Sequence, residues 1–317
     1  MTHTKQVIGT IRDVPYNTAL DSPTVSCLRI NVSHCSVDQV VSTVTKMSKL
    51  ANLRRVFLDL QGPKLRVSAK QPTIELRTNT TVPLVSSNNF VHSGDACIVL
   101  DQREIDALSQ HSSSNASLDD GKILISLSTS TMTAKVTRGG VLKPSKGLNL
   151  SPHPAVVTLT EKDRKVVEQT RHFPFVAYAL SFTRSLEDII YLKSMCHNFV
   201  AAKIELPLSM ETLSALLPVC DELWLCRGDL GSQLGLKELG KYFKQFKHFT
   251  QSNSGNIEKF ILAGEVLEHM FDHPIPTRSE VCHLAEMMDV FGGIVLSNEC
   301  FGHYLPEIIS FLTEFLD

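Results

Sequence analysis

The 317-residue chain lacks most of the features that mark a specialised protein class. Its formal net charge is only −2, so no basic excess draws it to nucleic acid, and any recognition of phosphate has to be local. No apolar run approaches the length that spans a bilayer, and Met1–Thr10 has no apolar core of the kind a secretory signal carries. None of the eight cysteines stands in a Cys-x-x-Cys or Cys/His zinc spacing, and several fall in apolar runs, where reduced buried thiols are expected rather than disulfides. Low-complexity tracts and internal repeats beyond a βα alternation are also missing. These absences point to a cytoplasmic globular protein with neither nucleic acid nor membrane as partner. What is present is ordinary: 43% hydrophobic and 20% charged residues, enough for one large α/β domain or two smaller ones.

Short strand-like runs alternate with helix-like stretches, which argues for βα units around a parallel sheet. Eight candidate strands stand at Gln6–Ile11, Cys27–Val32, Arg55–Leu60, Phe175–Ser181, Phe199–Glu205, Leu223–Arg227, Phe260–Ala263 and Gly293–Ser297. Helical spacing follows at Val37–Leu50, with Ser36 as its N-cap, and at Ser185–Cys196, Met210–Pro218, Arg278–Val290 and Leu305–Phe315. The pattern predicts a (β/α)8 TIM barrel. From Val67 to about Gly147 the rhythm breaks into Thr-, Ser-, Asn- and Val-rich alternation with turn clusters, which predicts a small β-barrel-like domain inserted after strand three. The expected division is therefore a barrel over 1–66 and 148–317 with a β lid over 67–147. An insertion in a βα loop lies on the catalytic face of such a barrel.

Two strand ends carry the chemistry. Lys203-Ile-Glu205 closes one apolar run, and Cys226-Arg-Gly-Asp229-Leu-Gly231 closes the next. One βα repeat apart, Glu205 and Asp229 are placed to share a divalent cation with Lys203 beside them. Backbone N–H groups around Gly228 would add an anion site. A Lys-x-Glu alone is most often a solvated surface feature; the second strand end and Arg29 upstream turn it into a candidate site.

The chain resembles the pyruvate kinase family, and the matching blocks occur in the family's order. They begin with Arg29-Ile-Asn31-Val-Ser33-His34, Asp59-Leu-Gln-Gly62-Pro63-Lys64-Leu-Arg66 and Asp119-Asp120-Gly121. Lys146-Gly147-Leu-Asn149, Leu159-Thr-Glu-Lys-Asp163 and Ser181-Phe-Thr-Arg184 follow. The two strand ends, Pro276-Thr277-Arg278-Ser-Glu280 and a weaker Ser297-Asn-Glu299 complete the series. The resemblance covers roughly Gln6 to Pro306, without the family's C-terminal regulatory domain. It implies a glycolytic phosphotransferase that moves a phosphoryl group between phosphoenolpyruvate and ADP, giving pyruvate and ATP. Lys203 and Arg29 would be catalytic, Glu205 and Asp229 would hold Mg²⁺ or Mn²⁺, and Arg227, Gly228 and Asp229 would receive the substrate. His34, Arg66, Lys146 and Asp119 would serve the nucleotide. Both Arg29 and Arg66 are expected at strand ends. Asn31, Ser33, Asp59 and Lys64 form the region where many members bind K⁺. Lys64 replaces a glutamate common there and implies that K⁺ is not required. Without the regulatory domain a homodimer or monomer is expected.

Departures from the family cluster at one place. The family's Ala-Thr-Gln-Met-Leu-Glu-Ser-Met is here Ala263-Gly264-Glu265-Val266-Leu267-Glu268-His269-Met270, so the threonine that helps relay a proton to the enolate has become glycine. Leu206, Asn298 and Cys300 also depart, and Thr10 lacks the following Gly-Pro. Two alternatives follow: a specialised enzyme using phosphoenolpyruvate or enolate chemistry with another acceptor, or a ligand-binding scaffold. Structural readings compete at single positions. Asp119-Asp120-Gly121 reads as a hairpin turn, His34 as a helix cap, Thr277 with Glu280 as a capping box, and Phe243–Phe249 as a barrel helix with a solvated lysine face.

Overall fold

A computed structural model describes residues 5–12, 18–50, 54–91, 94–109, 115–119, 121–151, 153–154, 157–296 and 304–316. Ser297, Asn298, Glu299, Cys300 and Asp120, singled out above, lie outside them. The chain opens with β1 (Gln6–Ile11), β2 (Cys27–Asn31), α1 (Val37–Met47) and β3 (Arg55–Asp59). The inserted stretch holds β4 (Ile74–Leu76), β5 (Thr81–Ser86), β6 (Ile98–Leu100), α2 (Gln102–Ser109), β7 (Asn115–Leu118), β8 (Ile123–Ser128), β9 (Thr133–Arg138), β10 (Gly140–Leu142) and β11 (Leu148–Leu150). The alternation then resumes through α3 (Glu161–Thr170), β12 (Val176–Leu180), α4 (Leu186–Met195), β13 (Phe199–Ile204) and α5 (Met210–Leu216). It closes with β14 (Glu222–Cys226), α6 (Arg227–Leu234), α7 (Leu236–Ser252), β15 (Phe260–Ala263), α8 (Arg278–Met288), β16 (Gly293–Leu296) and α9 (Leu305–Leu316).

Eight of these strands form a closed parallel barrel in the order β1-β16-β15-β14-β13-β12-β3-β2. The fold class expected from the sequence is therefore the one observed, insertion after the third strand included. Two compact units result: 1–62, 158–227 and 240–317 form the first, and 63–157 with 228–239 the second.

Four barrel strands are buried along their whole length and the other four along most of it, as a sheet covered by helices requires. Inside, Phe57 and Trp224 meet with ring centroids 4.8 Å apart. The small side chains of Ala177, Ala179 and Ala201 complement these two large rings. Burying each of the large rings stabilises the fold by about 2–3 kcal/mol. The helices start where the sequence places caps. Ser36 with Gln39, Thr160 with Asp163, and Thr277 with Glu280 each form a reciprocal capping box.

The second unit has a six-stranded sheet, β11-β7-β8-β9-β5-β6, and a two-stranded one, β10-β4. Its strands alternate between buried and exposed residues, with Ile123, Ile125, Leu127, Ala134 and Val136 turned into a core of their own. Asp119 and Gly121 sit at the β7–β8 hairpin with φ of 50° and 81°, in keeping with the turn reading. Among the described residues no helix is long and apolar enough to cross a membrane. Seven cysteines are described, and five of them are buried.

Candidate active site

In the first unit the predicted residues converge on Asp59, the last residue of β3. One of its oxygens (Oδ1) accepts from Lys203 Nζ at 2.8 Å and from Ser181 Oγ at 3.2 Å. The other (Oδ2) accepts from Arg29 Nε at 2.8 Å and Nη2 at 2.5 Å. Arg29 lies in the middle of β2 and also donates from Nη1 to Thr10 Oγ1 at 3.0 Å. Glu205, one residue beyond β13, accepts the backbone N–H of Phe182 at 2.7 Å and lies 2.9 Å from Lys203. Phe182 reaches it from a left-handed backbone, φ 54°. Four side chains from three strands and a strand exit thus form one buried array of alternating charge.

The electrostatics follow from that alternation. Burial works against the Lys203 ammonium, but Asp59 and Glu205 outweigh it and raise the lysine well above its ordinary value. Burial likewise opposes the Asp59 charge, and Lys203 and Arg29 overcome it, holding the carboxyl at about 2. Both groups therefore stay ionised across the physiological range. Cys226 ends β14 inside the barrel, and burial pushes its thiol well above the usual value. It is a thiol, not a thiolate.

Gly62 braces the exit of β3. Its φ is +61°, and a Cβ there would meet Ser181 Cβ at 2.9 Å, so only glycine fits without a shift. The N–H groups of Gln61 and Gly62 donate to Asp163, the acid of the α3 capping box, at 2.8 and 3.0 Å. Two of the motif blocks are in this way one structural brace. Asn31 accepts from Ser33 N at 3.1 Å, opening the short 3-10 turn that holds His34. Helix α1 is capped by Ser36 and Gln39, so His34 is not its cap; it lines a cavity of 780 Å³ with Asn31, Arg12, Asp38, Gln39 and Lys46.

The residues after β14 form the first turn of α6, so Arg227, Gly228 and Asp229 open a helix whose first N–H groups have no partner within it. The Arg227 guanidinium turns toward the end of β15. Nε donates to Gly264 O at 2.9 Å, and Nη2 donates to the same carbonyl and to Glu265 O at 2.7 Å. Nη1 lies 2.8 Å from His283 Nε2.

In the second unit Lys64 pairs with Asp229 at 2.7 Å and Lys146 with Asp119 at 2.7 Å. Arg66 is not at the end of β3, as the sequence suggested. It lies seven residues further on, bridged to Gly147, and donates to Ser145 O at 3.1 Å. The proline and the left-handed glycine after β3 carry the chain into the insert before Arg66 is reached. Sequence reading missed the Arg227–His283 contact and the Phe182 N–H on Glu205, because neither has a local motif.

The family model for the pyruvate kinase barrel domain covers residues 6–308. The chain belongs to the pyruvate kinase family. It is 26% identical over 311 residues to a pyruvate kinase of Thermotoga maritima, covering 92% of this chain and 64% of that protein. A pyruvate kinase of Buchnera aphidicola subsp. Acyrthosiphon pisum is 29% identical over 317 residues, covering 90% and 62%. That of Aeropyrum pernix is 25% identical over 307 residues, covering 92% and 64%. The chain thus spans less than two thirds of the length of these pyruvate kinases.

Proposed function

We propose that the chain is an Mg²⁺-dependent phosphotransferase that moves a phosphoryl group between phosphoenolpyruvate and ADP, giving pyruvate and ATP. The observation that carries this reading is the buried array around Asp59. A transferring phosphoryl group spreads negative charge over its oxygens, and fixed cations in a dry site stabilise that charge without reorganising. Lys203 is such a cation. Arg29 is another: Asp59 and Thr10 engage three of its N–H groups, and a guanidinium has about five, so N–H groups remain for phosphoryl oxygens.

Glu205 and Asp229 are the proposed metal ligands. Among the described residues no cluster of three or more His, Cys, Asp or Glu is poised to hold a metal. Two carboxylates nevertheless fit Mg²⁺, which favours hard oxygen donors and completes its shell with substrate oxygens and water. When bound, the ion (Mn²⁺ in its place) would neutralise the carboxylate and enolate oxygens of the substrate. The first N–H groups of α6 suit the substrate carboxylate. His34, Arg66, Lys146 and Asp119 are proposed to serve the nucleotide. Asp59 already holds two fixed cations and Lys64 is an ammonium, which together support activity without K⁺.

One observation favours a second reading. Gly264 has no hydroxyl, so the enolate has no side-chain donor at this position and must take its proton from water or react otherwise. The test is pyruvate formation from phosphoenolpyruvate with Mg²⁺ and ADP, with and without K⁺, beside a Lys203→Met control. Turnover that ignores K⁺ and disappears in the control is expected. Tight binding of phosphoenolpyruvate or oxalate without turnover would overturn the reading and favour another acceptor or a binding role.

A further inference from the structure

The last residue of β15 is followed by three left-handed residues in four: Gly264 at φ 84°, Glu265 at 53° and Leu267 at 54°. Glutamate and leucine do not choose that region unaided. Something must hold the turn, and the side chain that grips it is Arg227, through the carbonyls of Gly264 and Glu265. The far side of the same guanidinium rests on His283 of α8, 2.8 Å from Nη1 to Nε2.

A guanidinium nitrogen only donates. His283 Nε2 must therefore accept, which places the ring proton on Nδ1 and makes the imidazole neutral. A protonated imidazole would present an N–H to an N–H, with two positive charges in contact. We propose that His283 is a positioning residue: neutral, it buttresses Arg227 and so fixes the turn after β15; protonated, it lets the turn go. This rests on the reading that the turn borders the active site, since Gly264 stands where the family carries its proton-relay threonine.

The surroundings favour the neutral form at physiological pH. Burial lowers the imidazole below its ordinary value and Arg227 lowers it further, against an opposing pull from Glu286 on the same helix. Glu286 is in turn paired with Lys247 of α7. Phe243 of α7 covers His283, with ring centroids 6.1 Å apart. Glu265 and Glu268, from the turn itself, act on Arg227. The titration then falls on the acid side of the usual histidine range, and the turn is held above it.

The test is amide hydrogen exchange of residues 264–268 in the whole chain, expressed as protection factors between pH 5 and pH 8, for the native sequence and for His283→Gln. Glutamine offers a neutral acceptor that does not titrate. The native protein should lose at least tenfold protection at 264–268 as pH falls, while His283→Gln keeps it throughout. His283→Ala should be unprotected there at every pH. Constant protection in the native protein, or the same acid loss in His283→Gln, would overturn the proposal, and the native profile decides even where a variant folds poorly. In the kinetic arm, His283→Gln should leave kcat at pH 8 unchanged and flatten the acid limb of the pH profile. A chain that turns over no substrate would sink the functional reading while leaving the exchange result to stand on its own.

Discussion

The barrel unit and the inserted unit treat charge in opposite ways. In the barrel, Asp59 is 3% exposed and Lys203 11%; they pair with each other, and Arg29 and Glu205 complete the neutralisation. In the insert, Lys146 is 37% exposed where it meets Asp119, and Lys122 beside it is 72% exposed. A strand buried on both faces can carry a charge only as part of a closed, mutually neutral set, because desolvation costs several kcal/mol per ion. A strand with one wet face carries charges that are screened and adjustable. The proposed chemistry divides partly along that line: Lys203, Arg29 and Glu205 belong to the barrel unit, and Arg66, Lys146 and Asp119 to the insert.

The most damaging way to break the contrast is Asp59→Asn. It leaves Lys203 and Arg29 buried without their shared counterion and should cost about 3–5 kcal/mol of stability in urea unfolding. In the native protein the same carboxyl sits at about 2 when folded against 3.8 ordinarily. Its contribution, about 2 kcal/mol, is full above pH 4 and fades as pH falls toward about 2. A loss below about 1 kcal/mol in Asp59→Asn would mean the array is wetter than its burial indicates.

Glu222 sharpens the rule from the other side. It starts β14 and accepts the Trp224 indole N–H at 2.6 Å. Burial lifts it from 4.5 to about 7, against that hydrogen bond and Arg55. The folded protein therefore favours the protonated acid. The contribution of Glu222 to stability should be most favourable below about pH 4.5 and decline by about 3 kcal/mol as pH rises through 7. Glu222→Gln keeps the indole's acceptor and should abolish that decline; equal pH profiles for the two proteins would show that Glu222 is not paying for its burial. Smallest of all, Asp119→Ala in the insert should change stability by less than about 1 kcal/mol, because its lysine partners are already wet. A larger loss in thermal unfolding would erase the distinction between the two units.

The same contrast explains what could be read from the sequence. All eight barrel strands were legible as short, mostly apolar runs, and their observed limits, such as Gln6–Ile11 and Phe260–Ala263, fall within a residue or so of the expected ones. In the insert only the alternation was legible; helix α2 escaped notice because its eight residues are short and mostly polar. Helix α3 was visible only as a motif, although Thr160 and Asp163 announce its start. At the site, Lys203, Glu205, Asp59 and Arg29 were named from strand ends and family blocks, and the structure brings these four together. Arg66 was misplaced because a strand end was assumed where a glycine turns the chain. Glu222 and His283 carried no motif, since their meaning lies in burial and in one partner from a distant helix or strand.

The central claim is that the buried array performs the transfer. Its most direct measurement is the single-turnover rate of pyruvate formation at saturating phosphoenolpyruvate, Mg²⁺ and ADP, for the native chain and Lys203→Met. The account predicts a fall of about a thousandfold or more, with phosphoenolpyruvate affinity changed only a few-fold. A Lys203→Met protein that turns over at the native rate would contradict it.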